Sequence, residues 1–245
     1  MTGAAADVEF SSHADDGAGQ PAPMLLWRFA GPQRAVSSAM LGGGLKDISW
    51  IVNAHVRSDY RRMDPDRHLR EIALGAGLDP AAGIGLLTAA KVERNATAED
   101  GGVRCDATVG VSYPTWAAAT DDDPLPDNPW RPGTINIVCQ LPVPLSDAAL
   151  VGAVITATEA KTQALIEGGV PGTGTASDAI VICCPRPDEP RRAGGSGLTG
   201  AVAELTGAAA ELTSIVPFAG PRSPWGARLA RAVHAAVALG LSRYG

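Results

Sequence analysis

The sequence predicts one α/β or α+β domain, built on a mixed sheet with packed helices. Short apolar runs typical of strands alternate along the chain with longer segments of helical periodicity, and no break in composition divides them. At 245 residues, 45% hydrophobic and 19% charged, the chain can bury a substantial core. We assign residues 23–245 to this domain. Residues 1–22 are acidic and rich in Ala and Gly, so we predict a disordered N-terminal tail.

Three apolar runs near the start of the domain are typical of strands. "MLLWRF" and "RAVSSAML" are predicted to pair through a turn at Gly31 and Pro32, and the second runs directly into "GGGL". "ISWIVNAHV" is a third strand. Because side chains alternate between the faces of a strand, Asn53 and His55 are expected on one side of it.

A helix and a hairpin follow these strands. "DPDRHLREIALGAGL" has Asp64 as N-cap and Pro65 at the first helical position, with Gly75 or Gly77 as its end. "GIGLLTAA" is a short apolar run. "KVERNATAEDGGVRCDATVGV" predicts two strands around an "EDGG" turn.

The second half of the chain repeats this interleaving of strands and helices. A polar, proline-rich loop from Thr120 to Gly133 precedes "TINIVCQLPV", a strong strand candidate. A helix begins near Ser146, "DAIVICCP" is a strand of the fully buried type, and "SPWGARLARAVHAAVALGLSRY" closes the chain as a helix. The segments "LLTAAKV" and "ITATEAKT" resemble each other faintly, which is insufficient to establish an internal repeat.

The helix that begins near Ser146 carries two charges that its pattern does not explain. At about 100° per residue, Lys161 falls within an apolar stripe, whereas Glu159 falls on nearly the opposite side. The two side chains therefore cannot pair with each other. Either Lys161 extends its ammonium to the surface and Glu159 is simply exposed, or each charge faces a functional pocket.

Two glycine-rich turns offer further parts of a site. "MLGGGL" follows a strand, and its glycines Gly42, Gly43 and Gly44 permit close approach of a ligand to backbone N–H groups. "GGVPGTGTASD" brings hydroxyl groups close to Asp178. Neither turn matches a nucleotide-binding motif, and each is also explained by a tight turn or a loop cap.

Composition excludes several classes of function. A net charge of -6 without a basic run argues against nucleic acid as a partner. No apolar run reaches the ~20 residues of a membrane span, so we predict a cytoplasmic protein. The four cysteines include no C-x-x-C pair and are interpreted as core residues rather than metal ligands. His55 and His68 could converge, but their spacing is not a zinc motif.

The ordered set of these segments resembles the adenosylcobinamide amidohydrolase family of corrinoid salvage. The matching pieces, which span residues 36–241, are "SSAMLGGGL", "WIVNAHV", "DPDRHL", "GLLTAAKV", "TINIVC", "ITATEAKTQAL", "GTGTASDAI" and "FAGPRSPWGARLARAVHAAV". "TATEAKTQAL" and the Gly-Thr-rich loop with its aspartate are the most distinctive. Ser177 departs from the threonine expected before that aspartate, although it keeps a hydroxyl.

The resemblance implies hydrolysis of the amide that joins aminopropanol, or its phosphate, to the corrin ring of adenosylcobinamide, giving adenosylcobyric acid. In this interpretation Lys161 and loop amides near Gly43 or Gly174 hold the oxyanion. Glu159 or Asp178 is the base, and water or the Thr175 hydroxyl attacks. The predicted catalytic residues are thus Glu159, Lys161, Thr175 and Asp178. The predicted substrate-binding residues are Gly42, Gly43, Gly44, Asn53, His55, Thr88, Thr173, Gly174 and Ser177.

The sequence shows no required cofactor and predicts no metal site, although His55, His68 and Asp178 leave room for one. Trp50, Trp116, Trp130 and Trp225 are candidate walls for a corrinoid, in a cleft larger than an ordinary ligand pocket. The oligomeric state stays open, a homo-oligomer included. One alternative is a corrinoid-binding protein without catalysis, and another is an unrelated anion-binding enzyme that uses "GGGL".

Overall fold

A mixed sheet forms the centre of the molecule in the computed structural model, which describes residues 5–120, 133–186 and 214–244. Its eight strands are β1 (Val8–His13), β2 (Ala22–Ser37), β3 (Gly44–His55), β4 (Gly83–Thr88), β5 (Ala96–Asp100), β6 (Val103–Gly110), β7 (Thr134–Gln140) and β8 (Ala179–Pro185). The helices are α1 (Pro65–Gly75), α2 (Asp147–Glu167) and α3 (Pro224–Tyr244), with short 3₁₀ turns at Pro80–Ala82 and Val92–Arg94. The predicted α+β class is confirmed.

The strands are ordered β4-β3-β2-β8-β7-β6-β5, with β1 beside the first half of β2. β4 runs parallel to β3, and β8 runs parallel to β7, whereas the other pairs are antiparallel. Each parallel pair is connected by a helix, α1 in the first case and α2 in the second. The order β2-β3-α1-β4 is thus repeated as β6-β7-α2-β8.

The sheet curls so that its two ends face each other. Asn53 on β3 donates to Thr108 on β6 (3.0 Å), and Trp27 on β2 donates to Asp106 on β6 (3.2 Å). These strands are not neighbours in the sheet, so the contacts cross its interior. Apolar side chains from β2, β3, β4, β7 and β8 fill the rest of this space.

Helices cover the two outer faces of the curled sheet. α1 packs on the outer side of β2, β3 and β4 around Leu69 and Ile72. α2 and α3 pack on the outer side of β6, β7 and β8, and their buried alanines allow close contact. The layers are therefore helix, sheet, sheet and helices.

Local signals account for several element ends. Ser146 caps α2 by accepting from the N–H of Ala149 (3.1 Å), and Pro65 is the first residue of α1. Asp64 precedes α1 as predicted, but its carboxylate pairs with Arg62 instead of capping the helix. Gly101 and Gly102 have positive φ in the turn between β5 and β6, as the "EDGG" motif predicts.

Two predictions about the first 40 residues are wrong. "MLLWRF" and "RAVSSAML" do not pair with each other, because "MLLWRF" and the first half of "RAVSSAML" belong to one strand, β2. This strand crosses Gly31 and Pro32 through a register shift between Arg28 and Gln33. Proline cannot donate to a ladder, so an irregularity at this point keeps the strand continuous. The second wrong prediction is the disordered tail at residues 1–22. Strand β1 lies within this segment and pairs with β2 along its whole length.

The resemblance between "LLTAAKV" and "ITATEAKT" does not coincide with the repeated topology. The first segment spans the end of β4 and the turn after it, and the second lies within α2. Among the described residues, no helix is both long and apolar enough to cross a membrane. Most of the loop predicted at residues 120–133 lies outside the described residues.

Candidate active site

Asp178, which immediately precedes β8, is the centre of a dense set of polar contacts. Its Oδ2 accepts from Lys161 Nζ (2.5 Å) and from the N–H of Thr175 (3.1 Å). Its Oδ1 accepts from Thr175 Oγ1 (2.5 Å) and from the N–H of Ile135 (2.9 Å). The carboxylate thus ties together α2, the glycine-rich loop and the start of β7.

Lys161 reaches this carboxylate because the helical periodicity places it on the buried side of α2. The residue is 6% exposed, as the stripe of apolar residues on α2 predicts. The surface alternative for Lys161 is therefore wrong. Its charge is compensated by Asp178, since an unpaired ammonium at this depth would be strongly unfavourable.

Gly174 makes room for the ion pair. A Cβ atom on this residue would lie 2.5 Å from Asp178 Oδ2 and 2.6 Å from Lys161 Nζ. The carbonyl of Gly174 also accepts a hydrogen bond from the N–H of Thr115 in a neighbouring segment (2.8 Å). Close approach of the two charged side chains is therefore sufficient to explain a glycine at this position.

A cavity of about 420 Å³ opens beside Asp178. Its polar lining includes Ser177, Thr134 and Thr88, and the Oγ atoms of Ser177 and Thr134 are 2.7 Å apart. Apolar lining comes from the ends of β2 and β4 and from the start of α1. Lys161 and Thr175 lie on the far side of Asp178 and do not line the cavity.

A buried amide pair closes the inner wall. Asn136 Nδ2 donates to Asn53 Oδ1 (2.9 Å) and to the carbonyl of Leu87 (2.9 Å). Asn53 in turn donates to Thr108 (3.0 Å). Asn136 lines the cavity, whereas Asn53 lies behind it.

Tyr60 forms part of the opposite wall, and sequence reasoning missed it. Its hydroxyl bonds to His68 Nδ1 (3.0 Å), while His68 Nε2 donates to the carbonyl of Asp15 (2.9 Å). Burial raises the pKa of Tyr60 to about 12, so the phenol is neutral in the physiological range. His68 is buried and acts as a structural acceptor for Tyr60.

Several predicted site residues lie elsewhere. Glu159 is exposed and bonds to no described residue, because it lies on the outer side of α2. Its predicted catalytic role is therefore not supported by its position. Gly42, Gly43 and Gly44 form a tight turn outside the cavity, where a Cβ on Gly42 would lie 2.1 Å from the carbonyl oxygen of Gly83.

Thr173 and His55 form hydrogen bonds that stabilise the fold and lie outside the cavity. Thr173 accepts from the N–H of Ala117 (2.9 Å), which fastens the glycine-rich loop to the segment before residue 120. His55 Nδ1 bonds to the carbonyl of Ala90 (3.0 Å). Neither residue lines the cavity. Among the described residues, no three His, Cys, Asp or Glu side chains are arranged to hold a metal ion.

The four cysteines are buried and free. Burial raises the pKa of the Cys139, Cys183 and Cys184 thiols, which keeps them protonated and unreactive. Three of the four tryptophans proposed as walls are described. Trp50 is buried, Trp225 packs against Arg228, and Trp116 is 52% exposed beside the glycine-rich loop. Trp130 lies outside the described residues.

The polar residues Thr134 and Asn136 are also absent from the sequence predictions. Both interrupt an apolar strand at alternate positions, so they face the same side of β7. Polar side chains at i and i+2 of a buried strand are a signal that could have identified them.

The family model of adenosylcobinamide amidohydrolase matches residues 7–213 of this chain. Two relatives bear that name. A protein of Methanosarcina mazei is 36% identical over 152 residues, which cover 62% of this chain and 70% of the relative. A protein of Halobacterium salinarum is 42% identical over 105 residues, which cover 40% of this chain and 43% of the relative.

A crystal structure of a Pyrococcus horikoshii OT3 protein is a distant structural neighbour. It is 11% identical, with a TM-score of 0.43 over 97% of this chain and 84% of the other, a likeness too low to bear on function. The family match extends from β1 to beyond β8 and includes the Lys161–Asp178 pair, the glycine-rich loop and the cavity. The chain is a member of the adenosylcobinamide amidohydrolase family.

Proposed function

We propose that the protein hydrolyses the amide that links aminopropanol, or its phosphate, to the corrin ring of adenosylcobinamide. The products are adenosylcobyric acid and the free amine, which returns a scavenged corrinoid to cobamide assembly. The family membership supports this reaction. The structural observation that carries it is a buried carboxylate, anchored by a lysine and facing a cavity with hydroxyl and amide groups.

The contacts of Asp178 suggest which residues touch the substrate and which only position other residues. Asp178 and Ser177 line the cavity and are therefore among the groups that can touch the substrate. Lys161 lies behind Asp178 and positions it, so the ammonium is not a direct oxyanion donor in this arrangement. Oxyanion stabilisation then comes from cavity hydroxyls such as that of Ser177.

Water in the cavity is the favoured attacking group, because Asp178 lines the cavity and is the nearby base. Thr175 is the alternative nucleophile, since its hydroxyl donates to Asp178 Oδ1 (2.5 Å). It lies on the far side of Asp178, so it would have to turn towards the cavity before it could attack. Intact-protein mass spectrometry of acid-quenched enzyme separates the two routes, because attack by Thr175 leaves a corrinoid ester on the protein.

The cavity is too small to enclose a corrinoid. Pockets of roughly 300–1,000 Å³ hold drug-sized ligands, and about 420 Å³ lies at the lower end of that range. The propionamide arm with its aminopropanol therefore enters the cavity, and the corrin ring stays at the mouth. Met40, which is 67% exposed and lines the mouth, offers apolar surface to the ring.

Incubation of the purified protein with adenosylcobinamide tests the proposal. We expect equal amounts of adenosylcobyric acid and aminopropanol, identified by mass. Binding of the corrinoid without either product would favour the non-catalytic corrinoid-binding alternative. Absence of both binding and turnover would refute the proposed substrate.

We place this activity in the cytoplasm. Four buried cysteines without a disulfide are usual in a reducing compartment. The net charge of -6 supports the expectation that nucleic acid is not a partner. Size-exclusion chromatography with light scattering would determine whether the protein forms a homo-oligomer.

A further inference from the structure

Asn136 carries an oxygen that the protein leaves without a donor. The residue is 2% exposed and lies on the side of β7 that faces the interior of the curled sheet, where it lines the cavity. Its Oδ1 is buried and has no hydrogen-bond partner among the described residues. A buried acceptor without a donor is unfavourable, so such atoms call for a ligand or a functional explanation.

The surrounding bonds fix which end of this amide is unpaired. The carbonyl of Leu87 can only accept, so the atom of Asn136 that faces it at 2.9 Å must be the nitrogen. Because the same nitrogen faces Asn53 at 2.9 Å, Asn53 presents its oxygen to Asn136 and its own nitrogen to the Thr108 hydroxyl. Both N–H groups of Asn136 are thus in use, and a rotated amide would set oxygen against oxygen. The side-chain amide of Asn136 is therefore held in one orientation, with Oδ1 as its unpaired atom.

The unpaired oxygen belongs to a strand residue beside the candidate catalytic carboxylate, since Asn136 on β7 is paired with Ala179 on β8, the residue directly after Asp178. Asp178 Oδ1 is anchored by the N–H of Ile135, the residue directly before Asn136. Thr134, two residues before Asn136 on the same face, contacts Ser177. Side chains two apart on one face of a strand are separated by roughly 6–7 Å. A small planar group can span this distance.

We propose that Asn136 Oδ1 accepts a hydrogen bond from the N–H of the scissile secondary amide. This inference rests on the proposed function and adds a residue that selects for an amide. An ester of the same shape, and the carboxylate product, lack that N–H and present an oxygen to Oδ1 instead. Asn136 therefore favours the substrate over its product, which assists release of the acid. The N–H contact directs the adjoining carbonyl carbon towards Asp178 and Ser177.

A comparison of two substrates isolates this contact. The full-length protein, Asn136→Ala and Asn136→Ser are each given adenosylcobinamide and its analogue with an ester oxygen in place of the amide N–H. We expect the ratio of kcat/KM for amide to that for ester to fall at least tenfold in both variants, because the preferred N–H contact is lost. A general loss of stability would lower both rates together and leave the ratio unchanged.

Asn136→Ser guards against misfolding of the alanine variant, since it keeps a small polar group at this buried position. Thr108→Val is the matched control, because it breaks the far end of the same buried network and does not touch the cavity. We expect its ratio to stay within twofold of the parent value.

The outcomes distinguish this inference from the function on which it rests. A ratio that is unchanged in folded Asn136→Ala or Asn136→Ser would show that Asn136 is structural or binds water, and would overturn the inference with the activity intact. A parent protein that converts neither substrate would refute the proposed function, and the inference with it.

Discussion

Replacement of Lys161 by methionine tests whether the buried ion pair holds the site together. Methionine keeps most of the volume and removes the charge. Lys161 and Asp178 have side chains that are 7% and 11% exposed, so the remaining carboxylate would be left nearly buried. Removing one member of a buried pair costs about 3–5 kcal/mol. Asp178 keeps three other donors, so we expect a loss near 3 kcal/mol at the lower end of that range.

Urea denaturation monitored by circular dichroism measures this change. Lys91→Met is the matched control, because Lys91 is exposed and its substitution should change the free energy of unfolding by less than about 0.5 kcal/mol. The double variant Lys161→Met with Asp178→Asn should cost less than the sum of the single variants, by about 1–3 kcal/mol, because each single variant leaves one unpaired buried charge and the double variant leaves none.

Activity provides the second measurement. Since Lys161 positions the catalytic carboxylate, Lys161→Met should lower kcat at least 100-fold and change KM little. The reasoning would be refuted by a stability loss below about 1 kcal/mol together with full activity. Additivity of the single variants within about 0.5 kcal/mol would also refute a coupled pair.

Three further predictions concern Gly174, Ser177 and His13. Gly174→Ala should separate the ion pair and abolish hydrolysis in a folded protein. The control Gly152→Ala lies on α2, where an added Cβ meets nothing within 4 Å, and should keep full activity. Equal rates of the two variants in an amide hydrolysis assay would contradict this. Ser177→Ala should lower kcat at least tenfold with an unchanged thermal midpoint, and an unaltered kcat would exclude Ser177 from substrate contact. Burial lowers the pKa of His13, so its neutral form is favoured in the folded state. The free energy of unfolding should therefore fall as pH drops below 6.5, by at most about 1.4 kcal/mol per pH unit. His13→Gln should reduce this pH dependence in urea titrations at pH 7.5 and 5.5. An identical pH dependence in the variant and the parent would show that His13 is not responsible.

Helical periodicity correctly assigned the two charges of α2. Counting along the helix placed Lys161 on the buried side and Glu159 opposite to it, and both positions are confirmed. The periodicity could not show that one charge is compensated and the other is simply solvated. That depends on which loop faces each side of the helix.

Glycine patterns were less informative about function. "GGGL" and "GTGTASD" are equally rich in small residues, yet the first is a turn outside the cavity and the second holds Asp178 beside Lys161. A glycine indicates that space is restricted at its position, but it does not indicate which atoms occupy that space. The occupant of the space at Gly174 is an ion pair from two other segments, which local sequence does not contain.

The sequence by itself determined the mixed sheet, most strand and helix positions and the family, and it named Lys161 and Asp178 as separate candidate site residues. These features depend on periodicity, turn chemistry and ordered motifs, all of which are local in the chain. The tertiary structure decided that the sheet curls, that β3 and β6 meet across its interior, and that Asn136 and Tyr60 line one cavity. Those contacts join residues far apart in sequence, and they arise from burial of two faces of one sheet at once.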